Sequence, residues 1–216
     1  MKFALSIWLY SWTMAIILNY VADQRKVKIY SWVAVVAMCF EQAAITIQAL
    51  RGQQSHFNSS DAFGIIIFAL MGIFILTITL WTAYITYIFF KQKEFKLQPA
   101  LVLSLKFALV YFVIFSLFGG YISSLKGHTI GASDGGKGLF FLNWSTTFGD
   151  LRVAHFFGLH SLQLIPIFGY LVNKYFSTNK ALQLVKLFSL IYLIFIIFTL
   201  IIALNEHPFY AIKYYS

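Results

Sequence analysis

Two short polar windows hold most of the residue types in this chain that can do chemistry. They are Arg51-Gly-Gln-Gln-Ser-His-Phe-Asn58 and Gly149-Asp-Leu-Arg-Val-Ala-His-Phe-Phe-Gly-Leu-His160. The guanidinium groups of Arg51 and Arg152 can grip a carboxylate or phosphate through two parallel hydrogen bonds, which an ammonium cannot do. Imidazole suits zinc, copper and haem iron. His56, His128 and His155 are expected on one face, with His56 and His155 as candidate metal ligands. A haem or a transition metal would fit such a set, and the residue types do not choose between them.

Deeper groups would complete the site. Glu41 lies ten residues before Arg51, about 15 Å along a helix and so near the middle of a bilayer. A carboxyl at that depth is costly and belongs on the inside of a bundle, as a proton acceptor, a cation ligand or a polar contact for a substrate. Gln48 stands seven residues further on the same stripe. In the second window, His155 and His160 are five residues apart, which puts them about 140° apart on a regular helix. One ion cannot be closed between them as it could at i, i+4. His155 is therefore expected at the mouth, and His160 about 7.5 Å deeper, within reach of Glu41, with Gln163 one turn on. The candidate catalytic residues are Glu41, His155 and His160. The candidate substrate contacts are Arg51, Gln48, Asp150, Arg152 and Gln163.

Each of these residues also has a plain structural reading. Asp61, Asp150, Asn58, Ser59 and Ser60 are all types that cap helix N-termini. Arg152 can pair with Asp150, and Glu41 can hold two helices together. Thr77, Thr79, Thr82 and Thr86 can bond the carbonyl four residues back. Ser55-His56 has the types of a nucleophile and base, but adjacent residues seldom align for that transfer. No CxxC, HExxH, Walker or GxSxG pattern occurs, so the strong catalytic motifs are missing.

These residues need elements to carry them. The chain has 216 residues, 60% hydrophobic and 11% charged, against about a quarter charged in soluble domains. Backbone in hydrocarbon must satisfy its own hydrogen bonds, so the long non-alternating apolar runs predict helices. Six spans are expected, at about residues 4–20, 30–50, 63–90, 101–123, 151–176 and 182–204, forming one integral-membrane domain over 1–216. The first span is read as a retained helix: a large residue stands at its would-be cleavage site, and Arg25-Lys26-Val27-Lys28 follows. The net charge of +9 is spread over loop ends, as topology determinants are, so nucleic acid is excluded as a partner. Cys39 is the only cysteine, which excludes an intrachain disulfide and a thiolate cluster.

Ten basic residues fall on the side of the first, third and fifth loops, and six on the other. The positive-inside rule then places both termini outside the cytoplasm. Both polar windows fall on that outer side, with the glycine-rich loop 126–144 as a lid. Its Leu139–Trp144 stretch is apolar enough to dip into headgroups or fold over helix ends.

The motifs Arg51-Gly-x-x-Ser-His-Phe-Asn58 and Gly149-Asp-Leu-Arg-Val-Ala-His-Phe-Phe-Gly-Leu-His-Ser-Leu-Gln163, with Asn143-Trp-Ser145 before the second, resemble those of a group of uncharacterised bacterial multipass membrane proteins over about residues 38–166. The resemblance implies a multipass protein of a bacterial inner membrane and brings no activity with it. Seven-helix hydrolases with paired histidines are set apart by their i, i+4 spacing.

The expectation is an all-α polytopic membrane protein with a polar site between its second, third and fifth helices. That site would act on an anionic, lipid-like or quinone-like molecule, as an enzyme or redox protein. The alternatives are a small proton-coupled transporter and an accessory or scaffold subunit whose polar groups only brace helices.

Overall fold

The structure is a computed structural model that describes residues 2–58 and 61–210. Its elements run α1 (Lys2–Leu18), α2 (Gln24–Leu50), α3 (Ala62–Lys91), α4 (Pro99–Ser124), β1 (Thr129–Ile130), β2 (Gly149–Asp150), α5 (Arg152–Tyr175) and α6 (Thr178–Leu204). Helices α2 to α6 are long and apolar enough to cross a membrane. At about 1.5 Å per residue, the 17 residues of α1 make a shorter apolar helix. Apolar side chains such as Trp8, Trp32, Ile73 and Leu190 stay exposed, as suits surfaces facing lipid.

The helix ends follow local chemistry. Asp23 accepts from the Lys26 N–H and starts α2, six residues before the expected Tyr30. The basic residues Arg25, Lys26 and Lys28 therefore lie in the helix, where long side chains can snorkel. Asp61 caps α3 by accepting from the Gly64 N–H at 2.6 Å. Pro99 opens α4, where its missing N–H costs nothing. Of the cap candidates for α3, Ser59 and Ser60 lie outside the described residues, as does the end of the tail from 211 on.

The chain forms two compact units, Met1–Lys96 and Leu97–Ser216. In the first, the hydroxyls of Tyr10, Tyr30 and Thr82 meet, one from each of α1, α2 and α3, with Thr82 at 3.0 Å from Tyr10 and 3.2 Å from Tyr30. Gln92, just past α3, receives the Ala22 N–H at 2.9 Å and donates to the Tyr20 carbonyl at 3.0 Å. That ties the end of α3 to the α1–α2 turn. A groove of about 660 Å³ runs between α1 and α2, lined by Ile7, Trp8, Val35, Met38, Cys39 and Gln42 among others. Cys39 is exposed there.

In the second unit, small residues let helices approach, as is usual in membranes. A Cβ on Gly158 would fall 2.1 Å from the Phe115 ring, and one on Gly169 would fall 2.3 Å from the Ser104 hydroxyl. Three hydroxyls donate across helices to backbone carbonyls: Ser161 to Ala108, Tyr111 to Ser189 and Tyr192 to Phe157. Helix α5 runs on through Pro166, although that residue has no N–H to offer the carbonyl of Leu162.

Between α4 and α5 the loop builds a two-stranded antiparallel ribbon, Thr129 opposite Asp150 and Ile130 opposite Gly149. Gly149 is required there. A Cβ would sit 2.0 Å from the Ala203 carbonyl of α6.

Candidate functional site

The first window forms a compact polar turn in the first unit. Arg51 ends α2 and bonds three ways: its guanidinium donates to the Gln48 Oε1 at 2.7 Å, pairs with the Asp61 carboxylate, and lies over the Phe63 ring at 4.5 Å. Asp61 is held below the usual carboxylate range, first by the Arg51 hydrogen bond and then by the Gly64 N–H. His56 bonds the Ser55 hydroxyl at 2.9 Å and packs edge-on against Phe68. Burial pushes its pKa down, which favours the neutral ring.

Below that turn, Glu41 and Gln48 are buried on one stripe of α2 with Tyr30, Ala37 and Ala44. Among the described residues, Glu41 Oε1 and Gln48 Nε2 are buried without a hydrogen-bond partner. A guanidinium only donates, so the Gln48 oxygen must face Arg51 and its two N–H donors must point the other way. The stripe therefore offers an amide donor and a carboxyl about 10 Å apart along the helix. Buried polar groups are normally paired, and an orphan costs free energy.

The second window makes a different arrangement in the second unit. Asp150 is buried in β2, one residue before the Leu151 N-cap of α5. It accepts the Ser145 N–H at 2.9 Å, the Arg152 N–H at 3.0 Å and the Arg152 guanidinium at 2.7 Å. Arg152 also donates to the Asn143 carbonyl. His128 Nδ1 lies 3.7 Å from Asp150 and 3.3 Å from Asp134. Asp134 gathers the N–H groups of His128 and Thr129. Burial pushes Asp134 up, but the Thr129 and His128 hydrogen bonds and the His128 charge outweigh it and hold the carboxyl low. Residue types alone did not single out Asp134. The signal lay in its turn sequence, Ala-Ser-Asp-Gly-Gly, which favours an Asp that bonds backbone N–H groups.

His155 and His160 part as their spacing requires. His155 Nδ1 bonds the Phe115 carbonyl on α4 at 2.7 Å, so that nitrogen is the donor, since a carbonyl only accepts. The ring lies over Gly119, where a Cβ would come within 2.5 Å. His160 bonds Gln163 on its own helix at 3.1 Å and packs on Phe156. Among the described residues, no three of His, Cys, Asp and Glu are grouped to hold a metal ion. Three further hydroxyls that the sequence did not mark, Tyr10, Tyr30 and Tyr192, bind helices together; their only signal was being polar within apolar helices.

Five membrane-length apolar helices with polar groups kept inside define an all-helical membrane protein. No family model, no curated protein and no solved structure matches the chain.

Proposed function

We propose that this is a six-span membrane protein, with both termini outside the cytoplasm, that binds a lipid-like or quinone-like molecule by its polar head on the α2 stripe. One observation carries this reading: Glu41 Oε1 and Gln48 Nε2 are buried without protein partners on one helix face. Evolution seldom leaves two such groups facing inward without use, because each costs free energy unless something bonds it. A head with an acceptor near Gln48 and a polar group near Glu41 would satisfy both. Arg51, locked by Asp61, keeps the amide donors turned toward that head.

The test is extraction and mass spectrometry of small amphiphiles from protein purified in detergent. Wild type should carry one lipid or quinone class in near-stoichiometric amount, and a Glu41→Leu/Gln48→Leu variant with the same helix content should lose it. The same bulk-lipid profile in both proteins would overturn the reading.

The second reading is an accessory subunit with no small-molecule chemistry. It is favoured by the Asp150–Arg152 network, in which both carboxylate oxygens are already used by Ser145 and Arg152. On either reading Asp150 and Arg152 hold the loop in place. Loss of a co-purifying protein after substitutions at Glu41 or His160, with no bound amphiphile in wild type, would favour this second reading.

A further inference from the structure

The loop between α4 and α5 ends in a small closed tip. The Leu139 N–H bonds the Trp144 carbonyl at 2.8 Å, Asn143 N–H bonds Leu139 at 2.7 Å, and Leu142 N–H bonds Phe140 at 2.9 Å. Gly138 bridges Ser145 just behind. Phe141 and Asn143 both take left-handed backbone conformations, with φ of 68° and 56°. Such strain in a phenylalanine persists only where the surrounding structure enforces it, and it gathers at working sites. Here it serves to turn side chains outward: Phe140 is 99% exposed and Phe141 56% exposed.

The base of this tip is fixed by what lies next to it. Trp144 is buried, with its ring 5.2 Å from Phe156, 6.0 Å from Phe157 and 6.2 Å from Phe209. Phe156 and Phe157 lie in the second turn of α5, about 6–7.5 Å along the helix from its first residue. Arg152 holds the Asn143 carbonyl at the first turn. The base of the tip, Asn143 and Trp144, is thereby fastened to the first two turns of α5. A loop standing in water would have no reason to carry a fully exposed phenylalanine. Phe148 and Tyr210 are also exposed at this end, in keeping with the aromatic belt found at membrane interfaces.

We propose that Phe140 and Phe141 form an interfacial anchor, which inserts into the headgroup–acyl boundary of the bilayer crossed by α4, α5 and α6. Apolar side chains of interfacial elements sit about 5–10 Å into that boundary. The anchor would hold the loop, and with it the Asp150–Arg152 network, against the membrane surface. This inference does not depend on the α2 stripe binding anything.

Site-directed spin labelling tests it in the full chain. Cys39→Ala removes the native thiol, after which Phe140→Cys, Gly135→Cys and Leu190→Cys are labelled singly and reconstituted in phosphatidylcholine–phosphatidylglycerol vesicles. The label at 140 should be more accessible to oxygen than to a water-soluble nickel chelate, as at the lipid-facing 190 and opposite to 135. Nickel accessibility equal to that at 135 would place the tip in water and overturn the anchor. Low accessibility to both reagents would mean protein covers the tip, and would also overturn it. If Phe140→Cys fails to fold, as judged by its melting curve, Phe141→Cys carries the same test with the same two overturning outcomes.

Discussion

Arg51 sets the direction in which the Gln48 amide points. Its guanidinium donates to the Gln48 oxygen at 2.7 Å, and since guanidinium accepts nothing, the amide donors are forced away from it, into the buried side of α2. One hydrogen bond at a helix end thus decides the polarity of a group one turn deeper.

Replacing Arg51 with alanine should free that amide. The lost charged hydrogen bond to Gln48 costs about 1.5 kcal/mol, at the low end because the arginine is partly exposed. Arg51→Lys should keep the charge and recover little of the orientation, because lysine lacks the planar fork. Thermal unfolding of both variants in detergent checks these expectations. A double-mutant cycle with Gln48→Leu isolates the pair, and an Arg51→Ala loss that persists undiminished when Gln48→Leu is already present would refute the coupling.

Acid should weaken the α2–α3 turn in two steps. His56 has its pKa lowered by burial, so its contribution is complete above the ordinary histidine value of about 6.5 and fades as pH falls through the lowered value. Asp61 is lowered by Arg51 and Gly64, so its contribution is complete above the ordinary aspartate value of about 3.9 and is lost as pH falls through its own lowered value. Melting temperatures followed from pH 7 to pH 2 should show both steps. His56→Gln should remove the upper one and Asp61→Asn the lower; a profile unchanged by Asp61→Asn would contradict the Arg51 pairing.

Gly119→Ala should disturb α4 and α5 together. Its methyl would meet the His155 ring at 2.5 Å, and overpacking of this kind costs about 1–3 kcal/mol. In a His155→Ala background the added methyl should cost far less. Equal costs in the two backgrounds would mean the ring is not where the damage arises.

Asp150→Ala should unfasten the loop. A charge-assisted hydrogen bond contributes about 1.5–3 kcal/mol; Asp150 is fully buried, while Arg152 still reaches solvent and can hydrate its charge when the carboxylate is gone. Limited proteolysis between residues 126 and 148 should speed up in the variant at temperatures where the helices persist. An unchanged cleavage rate would show that the ribbon holds without the carboxylate.

The proposed orientation has a direct check. In a Cys39→Ala background, a membrane-impermeant maleimide added to intact cells should label Gly135→Cys and spare Lys93→Cys. The reverse pattern would invert the topology.

The sequence by itself determined the helices. The expected spans at 63–90, 101–123 and 151–176 differ from α3, α4 and α5 by two residues or fewer at either end, because an apolar run must be about as long as the hydrocarbon is thick. It erred at the starts of α2, by six residues, and of α6, by four, since hydropathy reports where lipid ends and not where a helix begins; Asp23 carries α2 through three basic residues. The split between His155 and His160 was likewise legible, because it follows from helical periodicity alone.

Only the tertiary structure decided which polar groups are spent and which are left over. His155 answers to Phe115, forty residues away, and Asp150 to the backbone of Ser145. Both pairings depend on how one helix or loop is rotated against another. A residue's type says that it needs a partner. Whether it has found one, as Asp150 has and Glu41 has not among the described residues, depends on distances of a few ångströms that packing alone sets.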